Sequence, residues 1–448
     1  MSTAIAPPVT PCQRRYQLVG PPTAVMVLVL LLASVLVGCG AATHANSTAT
    51  AGSGGLARFY TQTLAWSSCA GIFQCSALTV PLDYANSGGR TIQLAVIRAR
   101  ATDPAHRIGS LITNPGGPGG SGVQFVGQSY AAQPGQPSHF GAQLRADFDI
   151  VGFDPRGVGH SAPITCLSDT QHDHYFALDP TPQTPAQVNS VVTGDKTFDA
   201  GCQAHSAMLL PYVGTPNAAR DMDILRAALD DQKMYYLGAS YGTDRMLNEA
   251  LAETGVLVTL YDSPTSWPTL RTALAMAMTG NGRGLLALSD LYDERNPQTG
   301  HYSNQSAANV AINCLDHPNP VHTAADINAE LPAYQQASPL VGASFAWADL
   351  MCAYWPVPPQ SQPHPVHYAG TPPILVVGTV HDPATPYPSA LQMTDQLRSA
   401  VLLTYNGDGH TAYHRGSNCI DGAVDNYFTQ AAIPATGTVC QPDSRPTS

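Results

Sequence analysis

The chain has 448 residues, of which 44% are hydrophobic and 11% charged, with a formal net charge of −11. That composition supports a large buried core, and without a Lys/Arg run or basic stripe it argues against nucleic acid as a partner. The 38 prolines in so apolar a chain point to many fixed loops, not to disorder.

The first elements are not part of a fold. Arg14 and Arg15 precede an uncharged stretch in which Ala24 to Val37 is continuously apolar or small. This run falls short of the roughly 20 residues of a membrane span and reads as the apolar region of an export signal. Leu36-Val37-Gly38-Cys39 resembles the lipobox of bacterial lipoproteins, which implies cleavage before Cys39 and a lipid on its thiol. An ordinary secretory signal or a short N-terminal anchor is the alternative. A twin-arginine signal matches only at Arg14-Arg15. Each version places the mature protein outside the cytoplasm, lipid-anchored to the membrane or secreted. Residues 1–38 are thus a leader, and residues 39–65, rich in Ala, Thr, Ser and Gly, a flexible tether.

Beyond Cys39 come Cys69, Cys75, Cys166, Cys202, Cys314, Cys352, Cys419 and Cys440. An even number in an exported chain argues for disulfides. Neighbouring pairs are the simplest connectivity: 69–75, 166–202, 314–352 and 419–440. No C-x-x-C pair or Cys/His cluster has zinc-ligand spacing, so no metal site is expected.

Leu78 to Leu82 and Thr91 to Ala99 read as strands joined by the turn Asn86-Ser87-Gly88-Gly89. Ser110 to Asn114 is a short apolar run opening into Pro115-Gly116-Gly117-Pro118-Gly119-Gly120, and Phe148 to Phe153 is another strand. Pro216 to Leu229 has a helical period. Met234 to Leu237 is a strand that runs into Gly238-Ala239-Ser240-Tyr241-Gly242, and Asp244 to Glu253 can be helical. Residues 265–366, rich in Ala and Leu, break the alternation and read as a helical cap. Strands at Ile374 to Val377 and Val401 to Leu403 flank a helical segment, Pro388 to Ala400. Apolar runs without polar alternation suit strands buried on both faces. The expected fold is α/β, a mostly parallel sheet with helices on both faces, built from residues 66–264 and 367–448 around the cap.

The chemistry follows from residues at strand ends. Strand–turn–helix context makes G-x-S-x-G a nucleophile elbow, with Ser240 held in a strained turn that its glycines permit. A serine needs a base, and the base an orienting acid, in the chain order Ser, acid, His. Asp382 follows the strand at 374, and His410 the strand at 401; His381 and Asp408 are nearby alternatives. Gly117, in the glycine loop after Asn114, and Tyr241, after the nucleophile, are the candidate oxyanion donors through their backbone N–H groups. This is the α/β-hydrolase arrangement, and it needs no metal or organic cofactor.

These residues resemble those of secreted bacterial α/β-hydrolases similar to tripeptidyl aminopeptidase and, more distantly, to proline iminopeptidase. The resemblance rests on Asn114 to Gly119, Asp154-Pro155-Arg156-Gly157-Val158-Gly159-His160-Ser161, Gly238 to Thr243, Ala311 to Asp316, Gly378 to Tyr387 and Gly409 to Tyr413. It implies Ser240 as nucleophile, Asp382 as acid, His410 as base, and a peptidase that releases short peptides or single residues from the N-terminus of a peptide substrate. Arg156 reads as a residue that holds its loop. An esterase could use the same triad. A carboxylate pair in the cap able to bind an α-amine would favour the aminopeptidase, and Glu253, Asp262 and Asp316 are available.

One departure stands out. In such relatives the elbow continues into a long helix and then a further strand before the cap. Here Leu260 to Pro268 already looks like a cap segment, so some tens of residues are missing after Thr243 unless Val256 to Tyr261 serves as the strand. A triad displaced by ~1 Å can lose orders of magnitude in rate, so a non-catalytic envelope protein that keeps the fold is the third reading.

Overall fold

A computed structural model describes residues 55–130, 138–240, 249–261, 263–360, 362, 364–365 and 372–443. The leader, Cys39, most of the tether, Tyr241 and Asp262 lie outside the described residues. The strands are β1 (Ser67–Ala70), β2 (Phe73–Pro81), β3 (Thr91–Ala99), β4 (Gly109–Asn114), β5 (Phe148–Phe153), β6 (Tyr235–Gly238), β7 (Ile374–His381), β8 (Ala400–Asp408) and β9 (Val439–Cys440).

Six of them form one sheet in the order β1-β2-β3-β5-β4-β6, and β7-β8-β9 form another. The hairpin expected from the Asn-Ser-Gly-Gly turn is present, with Pro81 opposite Thr91. β3 runs antiparallel to β5, while β4 lies parallel between β5 and β6. β7 and β8 are parallel, as are β8 and β9. The architecture is therefore α/β with a mixed arrangement, more antiparallel at its N-terminal edge than the apolar runs suggested.

Alternation along the strands sends apolar side chains to two faces. Leu78, Val80, Leu94, Val96, Val151 and Phe153 pack with Ile224 and Leu225 of the helix Thr215–Ala228. On the other face, Ile97, Leu111, Phe148 and Ile150 meet Val126 and Leu144 of the helices Gly122–Ser129 and Ala142–Asp147. The helix Asn418–Gln430 bridges the sheets, since Phe428 packs against this second cluster and also against Leu403, Tyr405 and Val424. The four disulfides join Cys69–Cys75, Cys166–Cys202, Cys314–Cys352 and Cys419–Cys440.

The sheet parts after β6. Among the described residues no strand pairs with β6 on its outer side or with the free side of β7. Of the candidate strand Val256 to Tyr261, residues 256–260 belong instead to the helix Glu249–Leu260, and Tyr261 follows its end. Their β-branched side chains are outweighed by packing: Val256 and Val258 lie against Ala273, Leu285 and Leu288 of the next two helices, Ser263–Met278 and Arg283–Tyr292. The helices Gln305–Asp316, Ala324–Ala337 and Gly342–Ala348 follow. Among the described residues no helix is long and apolar enough to cross a membrane.

Arg156 holds its loop as anticipated. Its side chain is fully buried, pairs with Asp221 through Nε at 2.7 Å and Nη2 at 2.6 Å, and donates to the carbonyls of Pro81, Leu82 and Tyr212. Arg156→Met should lower unfolding stability by about 3–5 kcal/mol in urea titrations, because Asp221 would be left buried without its partner. A loss below about 1 kcal/mol would contradict this account.

Asp293, buried beyond the helix Arg283–Tyr292, gives a pH-dependent test. Burial pushes its carboxyl up to about 7, against the hydrogen bond from Ser289. A carboxyl with a raised folded pKa binds its proton more tightly when folded, so stability falls as pH rises from about 4 to about 7. Asp293→Asn should therefore melt higher than the parent at pH 8 but not at pH 4. Equal melting temperatures at pH 8 would refute the assignment.

Candidate active site

β6 runs beside β4 with Leu237 opposite Thr113 and Gly238 opposite Asn114. Ala239 N–H continues the ladder by donating to the Asn114 carbonyl at 3.0 Å. The chain then turns sharply: Ser240 has φ +53°, the left-handed region that non-glycine residues rarely enter. Such strain costs on the order of 1–3 kcal/mol and persists only where the surroundings enforce it.

The glycine loop provides that enforcement. Gly116 has φ +89°, and a Cβ on it would lie 2.0 Å from the Ser240 carbonyl oxygen and 2.2 Å from that of Ala239. Only glycine lets the loop and the elbow pack backbone against backbone. Gly116 N–H donates to Asn114 Oδ1 at 2.8 Å, and Gly120 N–H to the Gly116 carbonyl at 3.1 Å. Gly117 N–H has no partner among the described residues, which leaves it available as a donor.

The helix Gln305–Asp316 buttresses this loop from above. Asn309 Nδ2 donates to the Pro118 carbonyl at 2.9 Å, and a Cβ on Gly119 would meet the Gln305 carbonyl at 2.7 Å. Asn304 Nδ2 donates to the Gly157 carbonyl at 2.7 Å, while its Oδ1 accepts from Gly159 N–H at 2.9 Å. One helix thus fixes two loops at the carboxyl ends of β4 and β5.

Asp382 and His410 come together on the second sheet. The register that pairs His381 with Asp408 brings the ends of β7 and β8 side by side. His410 Nδ1 lies 2.8 and 3.0 Å from the two Asp382 oxygens. Asp382 also accepts from the amides of Ala384, Thr385 and Thr411 at 2.9, 2.8 and 3.1 Å. Burial pushes the Asp382 carboxyl up, but the hydrogen bonds from His410, Thr385 and Thr411 outweigh it and hold the pKa below the ordinary carboxylate value. With Nδ1–H directed at the carboxylate, a neutral imidazole presents Nε2 as an acceptor. His410 N–H donates to the Tyr261 carbonyl at 2.9 Å, and the Tyr261 ring stands edge-on to the imidazole with centroids 5.0 Å apart. His410 Nε2 is buried and has no hydrogen-bond partner among the described residues, so it makes no bond with Ser240 here.

The other candidates fall elsewhere. His381 Nδ1 pairs with Asp408 Oδ1 at 2.9 Å on the exposed surface. Asp316 accepts from Thr215 N–H at 2.9 Å and from the Thr215 hydroxyl, capping the helix Thr215–Ala228. The side chain of Glu253, like all of Asp262, Tyr241 and Cys39, lies outside the described residues. Among the described residues no group of His, Cys, Asp and Glu could hold a metal ion. Sequence reasoning gave no role to Asn304, Asn309 and Tyr261. Asn304, one residue before an apolar helical run, carried a weak helix-start signal; Tyr261 carried none.

Two family descriptions match the chain: "alpha/beta hydrolase fold" over residues 109–252 and "TAP-like protein" over residues 338–440. Serine protease Hip1 of Mycobacterium tuberculosis is 32% identical over 464 residues, covering 82% of this chain and 87% of that protein. The chain belongs to the TAP-like α/β-hydrolases. This hydrolase is also 33% identical to carboxylesterase B of Mycobacterium tuberculosis, over 82% of its own length and 86% of the relative's. With tripeptidyl aminopeptidase of Streptomyces lividans it shares 29% identity, covering 85% and 87% respectively. In the Hip1 alignment, 82% of 448 residues supplies fewer than 370 of the 464 aligned positions, so close to one hundred positions have no counterpart in this hydrolase.

The close contact between Gly116 and the elbow makes a simple prediction. Gly116→Ala should force the loop away from Ser240 and lower reactivity toward a fluorophosphonate at least about a hundredfold. Reactivity within twofold of the parent would show that the contact does not shape the site.

Proposed function

We propose that this hydrolase is an extracytoplasmic serine exopeptidase that removes short peptides from the N-terminus of peptide substrates. Ser240 Oγ attacks the scissile carbonyl and gives its proton to His410 Nε2. The tetrahedral oxyanion sits on the N–H groups of Gly117 and Tyr241. His410 then protonates the departing amine, the C–N bond breaks, and an acyl-enzyme on Ser240 remains. Water, deprotonated by His410, releases the acyl peptide and restores the serine. Asp382 keeps the imidazole in the Nδ1–H tautomer and stabilises the imidazolium formed in each half-reaction. The helices between residues 263 and 352 act as the cap. The lipobox-like Cys39 supports anchoring to the outer face of the cell membrane, and four disulfides suit an oxidising compartment.

The observation that carries this reading is the Asp382–His410 pair at 2.8 Å on a strand-end loop, combined with Ser240 at φ +53° beside the glycine loop. The names of Hip1 and tripeptidyl aminopeptidase favour a peptidase, and that of carboxylesterase B an ester substrate. A second reading rests on the break in the sheet after β6: a protein that keeps the fold with its activity lost.

Fluorophosphonate labelling of purified, folded protein separates these readings. Labelling is expected for the parent and should disappear in Ser240→Ala; labelling that survives the substitution refutes Ser240 as nucleophile. No labelling of the folded parent establishes the inactive reading. If labelling occurs, tripeptidyl-aminoacyl fluorogenic substrates should be turned over at least about tenfold more efficiently than short-chain esters. The reverse preference would make it an esterase.

A further inference from the structure

The helix Gln305–Asp316 carries two asparagines, Asn309 and Asn313, among buried Ala308, Val310, Ile312 and Leu315. Asparagine suits a helix interior poorly, because its side chain competes for backbone hydrogen bonds. Neither residue caps the helix, whose N-cap is Asn304. Four positions apart, they share one face. Asn313 Nδ2 donates to Asn309 Oδ1 at 3.0 Å, and Asn309 Nδ2 donates to the Pro118 carbonyl at 2.9 Å. Asn313 is 8% exposed, and its Oδ1 is buried with no partner among the described residues. An unpaired acceptor of this kind costs stability, which a leucine of similar size would not. A polar group that costs stability in a core points to a task outside its own helix.

That task follows from the chemistry of the amide. A side-chain amide has a donor end and an acceptor end and can turn either one to a neighbour. Only the Nδ2 end of Asn309 can bond the Pro118 carbonyl; turned over, it would set oxygen against oxygen. The Asn313 donor occupies Asn309 Oδ1 and so leaves Nδ2 facing the glycine loop. Pro118 lies in the middle of that loop, where the chain is tightly folded. Gly120 N–H donates to the Gly116 carbonyl at 3.1 Å, and a Cβ on Gly117 would lie 3.0 Å from the amide nitrogens of Gly119 and Gly120. A Cβ on Gly119 would in turn lie 2.9 Å from the Asn309 amide nitrogen. Holding the Pro118 carbonyl therefore holds the turn that carries the Gly117 N–H.

We infer that Asn313 is a positioning residue for the oxyanion loop, acting through Asn309 and the Pro118 carbonyl. This role rests on the proposed use of the Gly117 N–H as an oxyanion donor. It places control of that donor in the core of the helix that covers the loop.

Hydrogen exchange of the full chain, read by mass spectrometry, tests the role without turnover, and fluorophosphonate labelling tests it at the serine. Asn313→Leu should speed exchange in residues 114–122 about three- to tenfold, the size of one neutral hydrogen bond. The helix Gln305–Asp316 should exchange as in the parent, and the melting temperature should be equal or higher. Labelling should slow by the same factor. Asn313→Ala, which cannot overfill its site, should give the same exchange pattern in the loop. Because Asn313 acts through Asn309, the double variant Asn309→Ala/Asn313→Leu should label no more slowly than Asn309→Ala alone. Unchanged loop exchange in both Asn313 variants overturns the inference. So does faster exchange throughout the helix along with the loop, or a double variant in which the two single effects multiply. Failure of the hydrolase reading appears separately, as absent labelling of the parent, and the exchange measurement then still decides whether Asn313 holds the loop.

Discussion

Everything at the candidate site depends on one close approach: the backbone of Gly116 against the carbonyls of Ala239 and Ser240. A Cβ would sit 2.0 Å from an oxygen there, well inside van der Waals contact. The contact has consequences in both directions. It leaves Ser240 little choice but its left-handed turn, because the Gly116 backbone packs directly against the carbonyl of that residue. It also sets the direction of the glycine loop, whose Gly116 amide is taken by Asn114 while the Gly117 amide is left without a partner. An oxyanion donor must be in place before charge develops, because reorganising it during reaction would forfeit most of its benefit. If the Gly117 amide serves as that donor, two backbones and the Asn114 side chain fix it in advance. The helix Gln305–Asp316 then locks the far end of the loop through Asn309 and the packing at Gly119.

Much of this was legible in the sequence because it depends on local chemistry. A short apolar run ending in Asn-Pro-Gly-Gly can hardly be anything but a strand opening into a tight loop, and β4 ends at Asn114 as that pattern demands. The same logic found the helix Thr215–Ala228 from its period and the strands that carry Asp382 and His410 from their bounded apolar runs. Neighbouring cysteines paired because each pair closes a short or moderate loop. What could not be read was non-local. Val256 to Leu260 has the composition of a buried strand, but its apolar side chains find partners on two other helices, and packing of that kind overrides intrinsic preference. Tyr261 meets His410 across nearly 150 positions of sequence, and no spacing rule announces such a contact. Glu294 is one acidic residue in a loop until the fold places it with Gly119 on the lining of one cleft.

The buried pair of Arg156 and Asp221 plays a quieter part. Arg156 reaches the carbonyls of Pro81, Leu82 and Tyr212, so one guanidinium ties the hairpin end to the loop after β5 and to the helix that covers the sheet. A planar, permanently charged fork suits this role better than lysine, which would satisfy fewer acceptors from a single point. The segment from Asp154 to Ser161 is consequently tied down, and Asn304 bridges Gly157 and Gly159 with bonds of 2.7 and 2.9 Å. The motif is distinctive in sequence, and its chemistry is that of a fastener, the role read for Arg156 from the sequence.

The division of the sheet gives the site an unusual dependence. Ser240 and the glycine loop belong to the six-stranded sheet, whereas Asp382 and His410 belong to the three-stranded one, and no strand pairing connects the two among the described residues. In a continuous sheet, backbone hydrogen bonds repeated every ~4.8 Å would fix the spacing between the Ser240 turn and the His410 loop. Here that spacing is set by side chains and single backbone contacts. Tyr413 donates to Asp425 at 2.5 Å and accepts from the Gly141 amide at 3.1 Å, Phe428 stacks edge-on to Phe148, and Tyr261 holds the His410 backbone. Each of these is weaker and softer than a ladder, and His410 Nε2, without a hydrogen-bond partner among the described residues, is the local sign of it. On the proposed reading, a substrate that touches both sheets supplies binding energy that can draw Ser240 and His410 into register. Catalytic competence then becomes a property of the complex more than of the free protein, with part of the binding energy diverted from affinity into assembling the triad.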